Sequence, residues 1–183
     1  MSSSISNKTI WGDAARNGLV LGLVTVAFTL LNSLLANAAG GAVGGVLRFF
    51  WWLVKFAGCI FLFRWFLVRF AKKNPAAEYD DTKALGLATA LTSALICAAY
   101  GLADVLYIHP DAMEEAMDAA MQSYSSMLGA AEMDMLSNMT GSMPTIGFFT
   151  TLIYCFLFGL VLTFIFAPKI TPKKTIFDEP DAQ

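Results

Sequence analysis

The sequence predicts an all-α integral membrane protein. Its expected form is a four-helix bundle with both termini cytoplasmic and an extracytoplasmic amphipathic helical segment between spans three and four. Three observations carry this reading. Four mostly apolar windows lie at 18–35, 46–68, 84–108 and 146–167, each close to the roughly 20 residues a helix needs to cross a bilayer. A hydrophobic share of 57% against 14% charged residues falls outside the range of water-soluble domains. Finally, His109 to Pro144 holds Asp111, Glu114, Glu115, Asp118, Glu132 and Asp134 and no Lys or Arg, so charge is sorted by side. Residues 1–183 read as a single membrane domain, because a chain that spends roughly half its length in lipid has little left for a large core in water.

Before the first span, Lys8, Arg16 and Trp11 suit the headgroup level. Ala36, Asn37 and Ala38 form a small-residue site after an apolar run. That run exceeds the roughly 7–15 residues of a secretory signal, so the first span is expected to stay uncleaved. Gly18 and Gly22 share one face of this helix and would admit a close neighbour. The Gly/Ala-rich connection from Asn37 to Gly45 is short enough for a helical hairpin. Span two has Trp51 and Trp52 near one end and Trp65 near the other, as two interfacial belts require. A loop with Asn74, Pro75, Glu78, Asp80 and Asp81 leads to span three. There Gly86, Ala90, Ala94 and Ala98 make a four-residue ladder that suits the central helix of a bundle.

Past span three, Pro110 suits a first helical position and Asp111 with Glu114 has capping-box spacing. Met113, Met117 and Met121 follow at helical spacing, and Met135, Met139 and Met143 repeat it after a break near Gly129. The segment 109–145 is therefore read as an acidic, Met-rich helical pair outside the membrane. Span four is Phe-rich, and Pro168 opens a basic tail.

Outside the spans, every Lys and Arg falls in the N-terminal tail, the middle loop or the C-terminal tail: Lys8, Arg16, Arg69, Lys72, Lys73, Lys83, Lys169, Lys173 and Lys174. By the positive-inside rule these segments are cytoplasmic. The expected site is the inner (plasma) membrane of a bacterium.

With the spans placed, two short words stand out: Asn17-Gly18-Leu19-Val20-Leu21-Gly22 opening span one, and Tyr107-Ile108-His109-Pro110-Asp111 after span three. Together with the four-span layout they resemble an uncharacterised family of small Bacteroidota inner-membrane proteins, domain of unknown function family 4199. The resemblance covers nearly the whole chain in layout. It implies an integral membrane protein without an assigned activity. Members are often encoded beside membrane glycosyltransferases that use polyprenyl phosphates, so such an enzyme is an expected partner. Nothing carries over from the family to the methionine ladders.

Three groups of residues could carry chemistry. Arg48, Lys55 and Asp104 lie inside predicted spans. A lone charge there costs about 2.5–3.5 kcal/mol on insertion scales, so a buried ion pair between Asp104 and Arg48 or Lys55 is expected, with a proton or ion path as the alternative. Arg64, Arg69, Lys72 and Lys73 cluster at the end of span two, where they fix orientation and could also hold an anionic lipid head group or a polyprenyl phosphate. The methionines at 113, 117, 121, 135, 139 and 143 are read as packing, with Cu(I) ligation by thioether sulfur as the alternative.

Cys59, Cys97 and Cys155 each fall mid-span on different helices and read as small buried apolar residues with no disulfide framework, with continuation of a soft-ligand path for Cu(I) as the alternative. His109, beside Pro110, reads as a capping or interfacial residue. No nucleophile and base share a recognisable spacing, so an enzyme is not expected, nor is a cofactor. The outward face is acidic, so nucleic acid is not an expected partner.

The function these residues point to is a non-enzymatic accessory or interaction protein in lipid-linked glycan handling. A small transporter or metal-handling protein is the alternative. The bilayer, a membrane glycosyltransferase and a second copy of the chain are the expected partners. The orientation is directly testable with a reporter active only outside the cytoplasm. Fused after Gln183 it is expected to be silent, and inserted after Gly129 it is expected to be active. The opposite pattern would invert the topology.

Overall fold

The computed structural model describes residues 6–38, 41–111 and 140–171, together with 115, 118, 119, 122, 123 and 129. Helix α1 runs Asn7–Ala38, α2 Gly41–Lys73, α3 Tyr79–Ala103 and α4 Met143–Ile170. A π-helical turn, Asp104–Ile108, continues α3, and a 3-10 turn, Thr140–Ser142, leads into α4. Among the described residues there is no strand, and all four helices are long and apolar enough to cross a membrane. This is the build of a multi-pass membrane protein.

The helices overshoot the apolar windows. The candidate spans measure 28 or 30 residues, roughly 42–45 Å at 1.5 Å per residue against about 30 Å of hydrocarbon. A helix satisfies its own backbone hydrogen bonds and does not have to end where its side chains turn polar. Hence α1 already begins at Asn7. Asp80 and Asp81, expected in a loop, stand in the first turn of α3, where the Glu78 N–H donates to Asp81 Oδ2 at 3.0 Å. Carboxylates at that end complement the helix dipole. Helix α4 likewise runs past Pro168, expected to open the tail, and closes with the Thr171 N–H donating to the Ala167 carbonyl at 2.9 Å.

Small residues set the arrangement. Gly18 of α1 lies against Thr89 and Thr92 of α3, and Gly22 lies against Ile96, so α1 and α3 run parallel. Gly86 of α3 receives the Thr163 side chain of α4, and Gly159 of α4 receives the Ala90 methyl, so α3 and α4 run antiparallel. The Thr163 hydroxyl, fully buried, donates to the Gly159 carbonyl at 2.8 Å, which satisfies it within its own helix. Half of the α3 span is buried, against 17% for α1 and α4 and 6% for α2, so α3 is the central helix.

Helix α2 joins this trio by one end. Phe63, Phe66, Leu67 and Phe70 pack with Ile10 and Ala14 of α1, Leu85 and Ala88 of α3, and Leu162 of α4. This core lies in the half of the bundle nearest the Lys73–Asp13 ion pair, 3.1 Å long, which ties α2 to α1. Towards its other end α2 turns Val46, Phe49, Phe50 and Trp52 outward, and Phe61 is exposed beside the core. Exposed apolar surface on this scale suits lipid rather than water.

The close approach of α3 and α4 predicts an asymmetry between two glycines. A Cβ at Gly159 would overlap Ala90, a side chain with no freedom to move aside, whereas Gly58 has open space around it. Gly159→Ala should therefore lower stability by about 1–3 kcal/mol through overpacking, read as a lower unfolding temperature in detergent. Gly58→Ala should leave that temperature unchanged or raise it. Equal behaviour of the two variants would contradict the packing.

Candidate functional site

Where α2 leaves the core, the four helices enclose a cavity of about 160 Å³. Leu21 and Thr25 of α1 form one wall, and Ala90, Ser93 and Cys97 of α3 form the back. Trp52, Lys55, Phe56, Cys59 and Phe63 come from α2, and Tyr154, Cys155, Phe158, Gly159 and Leu162 from α4. Trp52 and Tyr154 are more than half exposed, so the cavity opens sideways between α2 and α4. The opposing rings Phe56 and Phe158 stand 5.2 Å apart across that seam.

All three cysteines of the chain line this space, and none is joined in a disulfide. Cys97 is buried, while Cys59 and Cys155 are half-buried. Cys97 of α3 and Cys155 of α4 line the cavity from the two sides of the α3–α4 contact. Cys59 Sγ lies 3.6 Å from Thr25 Oγ1, whose hydroxyl also donates to the Leu21 carbonyl at 2.8 Å. Each cysteine alone reads as apolar filler. What brings them together is bundle register, which no single span reveals.

Lys55 stands at the same cavity. Its ammonium donates to Thr29 Oγ1 at 3.0 Å, and the Thr29 hydroxyl donates to the Thr25 carbonyl at 3.0 Å. Trp51 adds an Nε1–H bond of 3.4 Å to the Phe28 carbonyl. A polar seam thus joins α1 and α2 along the outward-leaning stretch. Lipid tails are as apolar as leucine and do not press helices together, so such bonds contribute to holding them. The pair Thr25 and Thr29, four residues apart in an apolar span, is the signal in the sequence that could have located the partner of Lys55.

The expected pairing of Lys55 with Asp104 is therefore corrected: both groups take other partners. Asp104 accepts a hydrogen bond from the Tyr100 hydroxyl at 3.3 Å and pairs with His109 Nδ1 at 3.1 Å. The π-helical turn is the cause. It closes with the His109 N–H donating to the Asp104 carbonyl at 2.8 Å, which folds the imidazole back over the carboxylate. Helix α2 meets α1 more closely than α3, so Lys55 finds the hydroxyl of Thr29 instead. Arg48 is exposed on α2.

The basic cluster occupies the exposed side of the α2 terminus. The Arg69 guanidinium lies 5.1 Å from the centre of the Trp65 ring, Lys73 pairs with Asp13, and Arg64 and Lys72 are exposed. Of the methionines considered as ligands, Met143 is the half-buried first residue of α4. Met113, Met117, Met121, Met135 and Met139 lie outside the described residues.

No curated protein and no solved structure matches the chain. A family model of proteins of unknown function, DUF4199, matches residues 16–168, which takes in the cavity, the polar seam and the π-helical turn. On that match, spanning most of its length, the chain belongs to the DUF4199 family.

Proposed function

We propose that the chain is a non-enzymatic accessory or interaction protein of a bacterial inner membrane. Both termini lie in the cytoplasm and the 109–145 segment lies outside. Its role is beside a membrane glycosyltransferase that handles lipid-linked, polyprenyl phosphate glycans.

The observation that supports this is the division of labour along α2. One end holds the core through Phe63, Phe66, Leu67 and Phe70, while the remainder presents large side chains outward. Phe49, Trp52 and Phe56 form a continuous stack on that stretch, with ring centres 6.2 and 5.4 Å apart. Helix association in lipid depends on packing and polar contacts. A rigid aromatic ridge offers contact area at a low cost in side-chain entropy. At the headgroup end of the same helix, exposed Arg64 and Lys72 suit a phosphate-bearing lipid. The glycan part of the role rests on the family resemblance.

One observation favours a second reading, metal handling: the three cysteines of the chain line one cavity.

A photo-activatable side chain at Phe49, Trp52 or Phe61 tests the accessory role in intact membranes. The expected result is a discrete adduct with another membrane protein, identified by mass spectrometry as a glycosyltransferase. The same probe at Leu91 or Leu95, exposed on α3, should give no such adduct. Lipid adducts alone from the α2 positions would overturn the reading.

A further inference from the structure

We propose that Cys97 and Cys155 form a two-coordinate thiolate site for a soft monovalent metal ion, Cu(I) being the biological member of that class, with Lys55 as its counter-charge. The site gives the metal-handling reading a location, and it stands or falls separately from the accessory role.

Geometry carries the proposal. The two thiols come from facing helices held at fixed register by the Gly159–Ala90 contact, and both line the same cavity. They open on a cavity of about 160 Å³, well above the roughly 10–15 Å³ that one water needs. Among the described residues no three His, Cys, Asp or Glu side chains are grouped to hold one ion. Two thiols fall short of the four ligands zinc takes and suit a soft ion content with two sulfurs in line. Cys59 lines the same cavity but sits beside the Thr25 hydroxyl.

Charge supplies an independent argument. Lys55 lies within a membrane-crossing helix, bonded to a neutral hydroxyl, and lines the same cavity as the three thiols. Among the described residues, no carboxylate is paired with it. When Cu(I) binds two thiols, two S–H bonds break, two Cu–S bonds form, and two protons pass to the surrounding buffer. The oxidation state of copper does not change. The resulting bis-thiolate centre carries one negative charge, which the ammonium cancels. With the ion bound, the centre and the ammonium together are neutral. A lysine facing a cysteine pair in lipid is thereby explained by one ligand.

The test uses the full chain in detergent under anaerobic conditions, with Cu(I) presented in competition with a chromophoric chelator. Wild type and Cys59→Ser are expected to bind one ion per chain. The double variant Cys97→Ser with Cys155→Ser should lose affinity by about a hundredfold or more, in line with loss of both soft donors. Lys55→Met should weaken binding by about tenfold through lost Coulomb attraction. Failure of wild type to bind, or binding undiminished in the double variant, overturns the proposal. X-ray absorption of wild type loaded below saturation needs no variant to fold. Two sulfur neighbours in line support the site, and any other coordination set overturns it.

Discussion

The close approach of three backbones at small residues is the constraint on which this structure depends. In lipid, burying an apolar side chain against another helix gains little over leaving it among acyl chains, so association falls to packing and to polar contacts. Gly18 and Gly22 let α1 meet α3, and Gly159 admits Ala90 so that α4 meets α3 from the other side. Thr163 fills the hollow at Gly86 and returns its hydroxyl to its own helix. These contacts fix the register of the trio and hence the depth of every side chain that faces inward.

Helix α2 follows a different logic. It lacks a ladder of small residues along its inner face, and it enters the buried core only through its Phe63–Phe70 end. What ties the rest of it to α1 is polar: Lys55 to Thr29, Trp51 to the Phe28 carbonyl, and Lys73 to Asp13 beyond the core. The cavity lies between the close-packed trio and the Trp52–Phe63 stretch of α2. Its lining follows from the fixed register, which brings Cys97, Cys155, Cys59 and Lys55 to one cavity. The aromatic ridge exposed on α2 and the thiol-lined space behind it are two consequences of one mismatch in side-chain size.

The fold was legible because its signals are local. Length and apolarity find four spans, and the four-residue spacing of Gly86, Ala90, Ala94 and Ala98 identifies the helix most buried in the bundle. Helix ends were less legible: Asp80, Asp81 and Pro168 read as loop or tail yet lie within helices, because backbone bonding outlasts the apolar window. The site was legible in its parts and not in its assembly. Cys59, Cys97 and Cys155 could each be placed mid-span, but their meeting depends on the rotation of three helices. Asp104 was expected to reach for a cation on α2, and a π-helical turn instead supplied His109 five residues along its own chain. No periodicity in the sequence marks such a turn.

The central claim is the α3–α4 register, and cross-linking reads it most directly. In a chain with its native cysteines changed to alanine, Gly86→Cys together with Thr163→Cys should form a disulfide under mild oxidation in the membrane. A Cβ at Gly86 stands 3.1 Å from the Thr163 Cβ, within a small adjustment of the roughly 3.5–4.5 Å that the bond requires. Gly86→Cys with Ile165→Cys, whose side chain is exposed, should remain unlinked. Linking of the first pair alone is the result the account predicts. Failure of that pair to link, or equal linking of both, would contradict the register on which the bundle, the cavity and the cysteine pair all depend.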